Sequence, residues 1–376
     1  MPRKLQSRFN TAHMKEITFQ KYSVYGNTFV LIDETREEIL SESEKSRFAG
    51  FAVDPHFGIG ADNLIVVQPC TSANLQAINA HRKYWLYGPP CREAKFIFRM
   101  FEPNGDEAFS CGNGVMCIAD HLHRTHGVRA SGILHQIPTD SPCVIDIGCE
   151  PDSGMAWANL GFPMPPPIAM ASIGSTPGPT KSFSEIRDIP LTLHSLHLNG
   201  KRSEVEVKIT GYLVYTGEPH LVIFTNTGIS NHQVTEALFP DACGIGSGSI
   251  DADLEADNSC WLVHHIGSRI NRSFAFEFPF GINVDFVRMR NSGHTIEYRC
   301  YERGINHETL ACGTGAVAVT AVSYGLGFCG NDETIVWPHR CRWQYPDSEF
   351  TVKRLEAGWY VYGTPRLLYH GHLTFV

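Results

Sequence analysis

The chain has 376 residues, 43% of them hydrophobic and 19% charged, with a formal net charge of −8. This length allows two domains of ordinary size, the negative charge gives no electrostatic reason to expect nucleic acid as a partner, and no apolar run approaches the roughly 20 residues of a membrane span. Twelve cysteines in a long chain without a secretory signal favour reduced thiols and a cytoplasmic location.

The N-terminal half is predicted to contain strands that lead into one helix. A basic segment, 1–13, is expected to form a flexible leader. The segment 71–92 has weak periodicity and contains Gly-Pro-Pro, which predicts an inserted surface loop. A polar loop over 102–110 precedes a helix from Gly112 to about His123. The strands predicted in this half, with a Gly26-Asn27 turn between the first two, are 15–24, 30–32, 63–67 and 95–101.

The C-terminal half repeats the order of strand, polar loop and helix. Strands predicted at 282–289 and 295–301 precede a polar loop, 302–310, and a helix from Gly313 to about Tyr324. The two copies are about 200 residues apart, which fits duplicated domains and is too long for a solenoid repeat. The last predicted strands are 335–337, 350–353, 359–362 and 372–375.

We therefore predict two domains. The N-terminal domain takes residues 14–159 and is completed by 365–376, and the C-terminal domain takes 160–364. The proline-containing segment 163–167 and a stretch rich in Ser, Pro and Gly at 172–182 mark the linker between them. The glycines at 244–248 do not predict a phosphate loop, because no strand precedes them and no Lys-Ser/Thr follows. Insertions are expected near 71–92, 172–205 and 226–277.

The motif Cys-Gly-x-Gly occurs twice, as Cys111-Gly112-Asn113-Gly114 and as Cys312-Gly313-Thr314-Gly315. Each copy begins a predicted helix. A thiol at the first turn lies beside unpaired N–H groups and the positive end of the helix dipole, which predicts a lowered thiol pKa. The glycines allow a ligand close to the backbone, where N–H groups can hold a carboxylate. The pair predicts two acid/base thiols around one small carboxylic acid.

Three other interpretations of these motifs and their surroundings are weaker. Free cysteines are often small core residues, but core packing does not require the same glycine spacing twice. The second motif follows a strand and begins a helix as a dinucleotide fingerprint does, yet a loop separates strand and glycines and no βαβ alternation follows. His121, His123 and His126 do not share one helical face, so no metal site is predicted.

The residues around the motifs resemble the diaminopimelate epimerase family, over nearly the whole chain outside the insertions. Proline racemases share the two-cysteine plan, but Asn113 and the Glu302-Arg303-Gly304 segment resemble the epimerase branch better. The resemblance implies an α+β fold of two pseudo-symmetric domains, each a mostly antiparallel sheet wrapped around a central helix, with the site in the cleft between them. The matching segments are Gly26-Asn27-Thr28-Phe29-Val30, Gly58-Ile59-Gly60-Ala61-Asp62, Pro219-His220, Phe278-Pro279, and Tyr301-Glu302-Arg303-Gly304 followed by Glu308-Thr309-Leu310-Ala311-Cys312.

The resemblance also implies an amino-acid racemase or epimerase that works without pyridoxal phosphate (PLP), any other cofactor or a metal. Cys111 and Cys312 would be the catalytic pair: one takes the α-proton as a thiolate, and the other returns a proton to the opposite face. Motif N–H groups would hold the carboxylate, while Glu302 and Asn27 would face the α-amino group. The substrate-binding residues are then Asn27, Asn63, Glu102, Gly112, Asn113, Gly114, Glu218, Asn283, Glu302, Arg303, Gly313, Thr314 and Gly315.

Departures from the family pattern bear on the substrate. Arg303 and Asn283 are retained, but Glu102 and Glu218 replace two asparagines of the set that holds the distal carboxylate and amine. Two carboxylates there would repel a distal carboxylate and attract a cation. We therefore expect a basic amino acid, such as lysine, ornithine, arginine or histidine. Pairing of Glu218 with Arg303 is the alternative, and it would remove part of this effect.

Two other functions stay open on the sequence alone. One is a diaminopimelate epimerase with a rearranged distal pocket, which would convert L,L- to meso-diaminopimelate for lysine biosynthesis. The other is a non-catalytic protein that binds a small ligand on the same fold. In each case the expected partner is a small molecule, with no nucleic acid and no membrane, and a homodimer is one option for an oligomeric state that the sequence leaves open.

Overall fold

The computed structural model describes residues 14–89, 93–172, 182–198, 201–240, 250–290 and 295–375. Its helices are α1 (Glu42–Ala52), α2 (Ser72–Arg82), α3 (Gly112–His126), α4 (Thr225–Gly228), α5 (His232–Leu238), α6 (Ile250–Ser273), α7 (Gly313–Gly325) and α8 (His339–Arg342). Its strands are β1 (Lys15–Val24), β2 (Asn27–Asp33), β3 (Asn63–Pro69), β4 (Phe96–Phe101), β5 (Ala130–His135), β6 (Cys143–Cys149), β7 (Ala156–Asn159), β8 (Ser184–Leu198), β9 (Lys201–Tyr215), β10 (Pro219–Phe224), β11 (Asn283–Arg290), β12 (Thr295–Glu302), β13 (His307–Thr309), β14 (Glu333–Pro338), β15 (Phe350–Leu355), β16 (Gly358–Gly363) and β17 (Arg366–Phe375).

The strands pair edge to edge in two series that follow the same pattern. The first series is β17-β1-β2-β3-β4-β5-β6-β7, and the second is β8-β9-β10-β11-β12-β14-β15-β16, with β13 added beside β12. In both series the third and fourth strands are parallel, as are the fifth and sixth, and the other neighbours are antiparallel. β7 and β16 join the two series as an antiparallel pair.

Each series curves around one central helix. α3 packs against β1, β4, β6 and β7, and α7 packs against β9 to β12 and β14 to β16. The run of alanine and valine in α7 makes the helix apolar all round, and its residues are buried from Gly313 to Ser323, as such a helix requires. The predicted architecture of two pseudo-symmetric, mostly antiparallel sheets wrapped around central helices is therefore confirmed.

The strands of the first series lie within 15–159 and 366–375, and those of the second within 184–363. The domain boundaries themselves stay a prediction. The expected leader, the glycines at 244–248 and residues 173–181 of the linker lie outside the described residues. Within the insertion near 226–277, α6 covers the outer face of the second series, where Leu262 and Ile266 pack in one core cluster with Leu221 and Phe286.

The prediction of a surface loop over 71–92 is wrong in its first half, which forms α2. Thr71 caps this helix by accepting a hydrogen bond from the Asn74 N–H at 3.2 Å. Leu75 and Ile78 are buried in a small core cluster that also contains Trp85. Two apolar contacts on an otherwise polar helix give a weak periodic signal, which is why the sequence pattern alone favoured a loop.

Candidate active site

The two Cys-Gly-x-Gly motifs meet where the N-termini of α3 and α7 approach each other. A Cβ atom on Gly112 would lie 3.2 Å from the Thr314 backbone nitrogen, and one on Gly313 would lie 3.0 Å from Asn113 Oδ1. Both positions therefore require glycine, because a side chain would push the helices apart. The Asn113 amide strengthens the junction by donating to the Ala311 carbonyl at 2.9 Å.

Each cysteine is the N-cap of its helix. The Gly114 N–H donates to Cys111 Sγ at 3.3 Å, and the Gly315 N–H donates to Cys312 Sγ at 3.4 Å. Next to them are four helix-start N–H groups, two from each helix, for which no hydrogen-bond acceptor is found within the described ranges. They belong to Gly112, Asn113, Gly313 and Thr314.

A cavity of about 480 Å³ lies in front of these N–H groups. It brings together all but two of the residues that the sequence predicts for the site. The exceptions are Gly114 and Gly315, which face the core: a Cβ on Gly114 would meet Ile65 and Phe98, and one on Gly315 would meet Asp285 and Tyr298. The predicted residues that line the cavity are Asn27, Asn63, Glu102, Cys111, Gly112, Asn113, Glu218, Asn283, Glu302, Arg303, Cys312, Gly313 and Thr314.

The expected lowering of the thiol pKa by the helix N-termini is wrong for the structure as it stands. Burial raises the pKa of Cys111 well above its usual value; the Gly114 hydrogen bond opposes the rise, and the Glu302 carboxylate adds to it. For Cys312, a hydrogen bond with Cys300 lowers the pKa, but burial and Glu302 raise it on balance. Desolvation and nearby negative charge therefore outweigh the helix ends, and both thiols favour the protonated form.

A chain of buried hydrogen bonds reaches Cys312 from the side away from the cavity. Asp285 Oδ2 lies 2.7 Å from His220 Nδ1, and His220 Nε2 lies 3.1 Å from Thr314 Oγ1. Thr314 Oγ1 lies 3.3 Å from Cys312 Sγ. The chain fixes the orientation of the imidazole and the hydroxyl, and it connects the sulfur to a buried imidazole.

His220 belongs to a segment that carries the resemblance, but the sequence predicted no role for it, and Asp285 was not predicted at all. Asp285 could have been found from its position in an apolar stretch of β11. A carboxylate inside such a stretch is expected to have a hydrogen-bond partner. Tyr298 was also missed. Its hydroxyl accepts from the Cys312 N–H at 2.8 Å and donates to the Cys312 carbonyl at 2.7 Å, which holds the start of α7 in place.

Glu102 and Glu302 occupy equivalent positions, directly after β4 and at the end of β12. The loop that follows each is held by a buried bidentate Arg–Glu pair. Arg99 donates to both oxygens of Glu107 at 2.7 and 2.6 Å, and Arg299 donates to both oxygens of Glu308 at 2.6 Å. Such fork-shaped pairs fix geometry as well as charge, so the two carboxylates stand at defined places on the cavity wall.

At the distal end of the cavity Glu218 pairs with Arg303, which is the alternative that the sequence left open. Arg303 Nε donates to Glu218 Oε2 at 2.5 Å, and Arg303 Nη1 donates to the Phe280 carbonyl at 3.0 Å. Glu218 therefore offers less free negative charge than the sequence predicted. Arg303 likewise offers less free positive charge, since a carboxylate already compensates its guanidinium. Asn283 is occupied too, because its Oδ1 accepts the Arg303 N–H at 2.8 Å.

Within the described residues, Glu102 has no Lys or Arg partner. Asn63 donates to Glu102 Oε2 at 2.8 Å. Burial raises the pKa of Glu102; the Asn63 bond opposes the rise, and the nearby carboxylates of Glu218 and Asp106 add to it. No Lys or Arg pairs with Glu102, Asp106 or Glu302 in the described residues, and Arg303 is the single Lys or Arg lining the cavity. The distal region therefore has a net negative field.

Two polar side-chain atoms at the cavity have no protein partner in the part of the chain that is described. They are Ser110 Oγ and Asn113 Oδ1, and both residues line the cavity. A buried polar atom without a partner costs about 1–3 kcal/mol. A bound polar ligand would recover that cost, which marks this wall as a binding surface.

The stability of the folded chain is expected to fall between about pH 4.5 and about pH 7 because of Glu302. Burial raises the pKa of Glu302 from 4.5 to about 7, and the hydrogen bond from Thr309 only partly opposes this. In that range the folded state keeps a proton that the unfolded state has lost, so the free energy of unfolding decreases as pH rises, by up to about 1.4 kcal/mol per pH unit. Urea denaturation of the wild type and Glu302→Gln should show that the substitution removes this slope.

Glu356→Gln is the matched control, because this carboxylate is exposed. An equal loss of slope in both variants would contradict the assignment to Glu302.

No protein-family model matches the chain, but curated relatives do. A diaminopimelate epimerase from Methanothrix thermoacetophila is 28% identical over 321 residues, which cover 84% of each chain. One from Archaeoglobus fulgidus is 27% identical over 320 residues, which cover 85% of this chain and 86% of the relative. Both alignments extend over most of each chain, so they concern the whole architecture.

Solved structures show the same fold. A hydroxyproline epimerase from Agrobacterium vitis superimposes with a TM-score of 0.54 at 11% identity, covering 96% of this chain and 93% of its own. A predicted epimerase from Pseudomonas aeruginosa gives a TM-score of 0.51 at 15% identity, covering 95% and 99%. At these identities the likeness establishes the fold alone.

The curated relatives indicate an isomerase of the epimerase or racemase kind. The sequence is similar to proteins named diaminopimelate epimerase, and the resemblance predicted from the paired cysteine motifs is confirmed. None of the helices in the described ranges is long and apolar enough to cross a membrane.

Proposed function

We propose that this isomerase inverts the α-carbon of an amino acid with a cationic side chain, by proton transfer between Cys111 and Cys312. The observation that carries the reaction is the meeting of two cysteine-capped helix N-termini at one cavity. The observation that carries the substrate class is Glu102, a partly buried carboxylate without a cationic partner at the distal end.

The substrate carboxylate would lie against the four N–H groups of Gly112, Asn113, Gly313 and Thr314. Removal of the α-proton delocalises negative charge onto this carboxylate, so donors aimed at it stabilise the carbanion more than the ground state. One preorganised donor of this kind contributes about 2.7–4 kcal/mol to a transition state. Donors from two helices also combine two positive dipole ends.

The α-ammonium group would lie near Glu302 and Asn27. Its positive charge favours the ionised form of Glu302, whose pKa of about 7 places it between its two states at neutral pH. The same charge offsets the negative field that raises the pKa of both thiols, because opposite charges within a few ångströms favour the ionised form. Substrate binding therefore helps to produce the thiolate.

In the forward step, the thiolate sulfur takes the α-proton and becomes a thiol, while the electron pair of the broken C–H bond stays on the substrate. The second thiol then gives its proton to the opposite face and becomes a thiolate. Either cysteine serves as the base, depending on the hand of the substrate, and the two roles are exchanged after each turnover. The hydrogen-bond chain from Asp285 through His220 and Thr314 supports the charge change at Cys312.

Diaminopimelate is the second candidate substrate, because the curated relatives carry the name diaminopimelate epimerase. Arg303 and Asn283, which the resemblance assigns to the distal groups, are present. Against it, Glu218 already pairs with Arg303, and the unpaired Glu102 would repel a distal carboxylate.

Exchange of the α-proton in deuterated water distinguishes the two substrates. We expect the enzyme to incorporate deuterium at the α-carbon of at least one of L-lysine, L-ornithine, L-arginine and L-histidine, with loss of optical rotation, because abstraction from a bound cationic substrate precedes reprotonation by solvent-exchanged thiol. Mass spectrometry and chiral chromatography follow both events. L-Leucine is the control, because its side chain is apolar and carries no positive charge.

Exchange with L,L- or meso-diaminopimelate alone would contradict the proposal of a cationic substrate, while the proposed proton-transfer reaction would still hold. Exchange with none of these amino acids would argue against the reaction assigned to this cavity.

A further inference from the structure

The C-terminal end of α3 carries a cluster of polar side chains that the proposed reaction does not use. His121 Nε2 lies 2.9 Å and His126 Nε2 lies 2.8 Å from the same atom, Asp33 Oδ2. The sequence predicted no shared ligand for these histidines, because positions five apart differ by about 140° around a helix. The structure corrects this: Asp33, at the end of β2, lies where both rings reach it.

We propose that Asp33, His121 and His126 form a binding site for a divalent transition-metal ion, with Zn²⁺ as the ion that fits the donors best. The three donor atoms lie within 4.8 Å of one another. Around a tetrahedral zinc ion, neighbouring nitrogen and oxygen ligands are about 3.4 Å apart. The Asp33 oxygen therefore needs to separate from each histidine nitrogen by only about half an ångström, and a fourth position is left for water.

The surroundings of the donors suit a metal ligand set. Thr35 donates to Asp33 Oδ1 through its N–H at 2.8 Å and its hydroxyl at 2.6 Å. His121 Nδ1 lies 3.5 Å from Thr125 Oγ1, so Nδ1 can keep the ring proton while Nε2 binds the ion, as metal-bound histidines do.

Charge and access also favour a cation here. α3 ends at His126, and the C-terminus of a helix carries the negative end of its dipole. Within the described ranges, no Lys or Arg pairs with Asp33. The side chains of Asp33 and His126 are 18% and 17% exposed, while His121 is 1% exposed, so an ion can enter from solvent and reach a buried third ligand.

Such an ion would have a structural role. The rise from Gly112 to His121 along α3 is about 14 Å, which separates the cluster from the thiols. β2 and α3 both begin at the cavity, with Asn27 and Gly112, and the ion would tie their far ends together. Because the unfolded chain lacks the assembled site, bound metal stabilises the folded state.

The test uses the full chain after treatment with a chelator. Titration with Co²⁺, which reports coordination by its visible absorption, should reveal one saturable site, and Zn²⁺ should compete for it and raise the melting temperature. His126→Gln is expected to weaken binding at least about tenfold. His123→Gln is the matched control, since this histidine lies on the same helix outside the cluster, and it should bind as the wild type does.

Asp33→Asn gives an independent check with an isosteric side chain, and circular dichroism verifies that each variant is folded. A near-ultraviolet sulfur-to-cobalt band would locate the ion at the thiols and overturn the proposal. Equal affinity in the wild type and His126→Gln would overturn it as well, and so would the lack of saturable binding.

Discussion

Replacing Cys111 or Cys312 by serine is expected to lower the rate of racemisation at least about 1,000-fold. A hydroxyl fills nearly the same space as a thiol but is a far weaker acid, so it cannot supply the thiolate that abstracts the α-proton. Both cysteines are required in every turnover. One accepts the α-proton from one face of the substrate, and the other donates a proton to the opposite face. Polarimetry with the preferred amino acid measures the loss.

Cys143→Ser is the matched control, because Cys143 is an exposed cysteine in β6 outside the cavity. The four N–H groups that hold the carboxylate stay in place in the cysteine variants, so substrate should still bind, and calorimetry can show this. Residues that act as one unit are not additive; the double variant should therefore be no slower than either single variant. Retention of racemisation within about tenfold in both variants would remove the two-thiol mechanism.

The sequence was sufficient for the parts of the site that depend on local geometry. Cys-Gly-x-Gly begins a helix because the cysteine caps it, and this follows from residue type and spacing. Strand boundaries such as Lys15–Val24 agree for the same reason, since alternation and turn residues are local signals. The contact between the two helices at Gly112 and Gly313 was not predicted, because the sequence assigned the glycines to the approach of a ligand.

The remaining features depend on what is near in space and distant in sequence. The lowered pKa expected for Cys111 assumed a solvated helix end, whereas burial and Glu302 raise it. The ion pair between Glu218 and Arg303 was only one of two alternatives on the sequence, because it joins residues 85 positions apart. Neither competing charge nor desolvation can be read from a motif, so the reaction was predictable at the α-carbon while the electrostatics of the distal pocket were not.

Replacing Glu102 by asparagine is expected to lower kcat/KM for the cationic substrate by about 10- to 100-fold, which corresponds to the 1.5–3 kcal/mol of a hydrogen bond to a charged group. Most of the loss should appear in KM, because the contact is made equally in the ground state and the transition state. Initial rates over a range of substrate concentrations separate the two constants. Asp106→Asn is the control for loss of one negative charge anywhere at the cavity, since Asp106 lines the same cavity but is exposed.

The double variant Glu102→Asn/Glu218→Asn tests more directly whether the two carboxylates cause the preference for a cationic substrate. Loss of Glu218 removes the carboxylate that compensates Arg303, and loss of Glu102 removes the charge that repels a second carboxylate. The guanidinium and two amides would then face the distal end. We expect this variant to gain α-proton exchange with diaminopimelate as it loses exchange with the cationic substrate, because discrimination here rests on opposite charges at the same place. If the variant prefers the cationic substrate as strongly as the wild type, the selectivity must come from shape, and the carboxylates do not determine it.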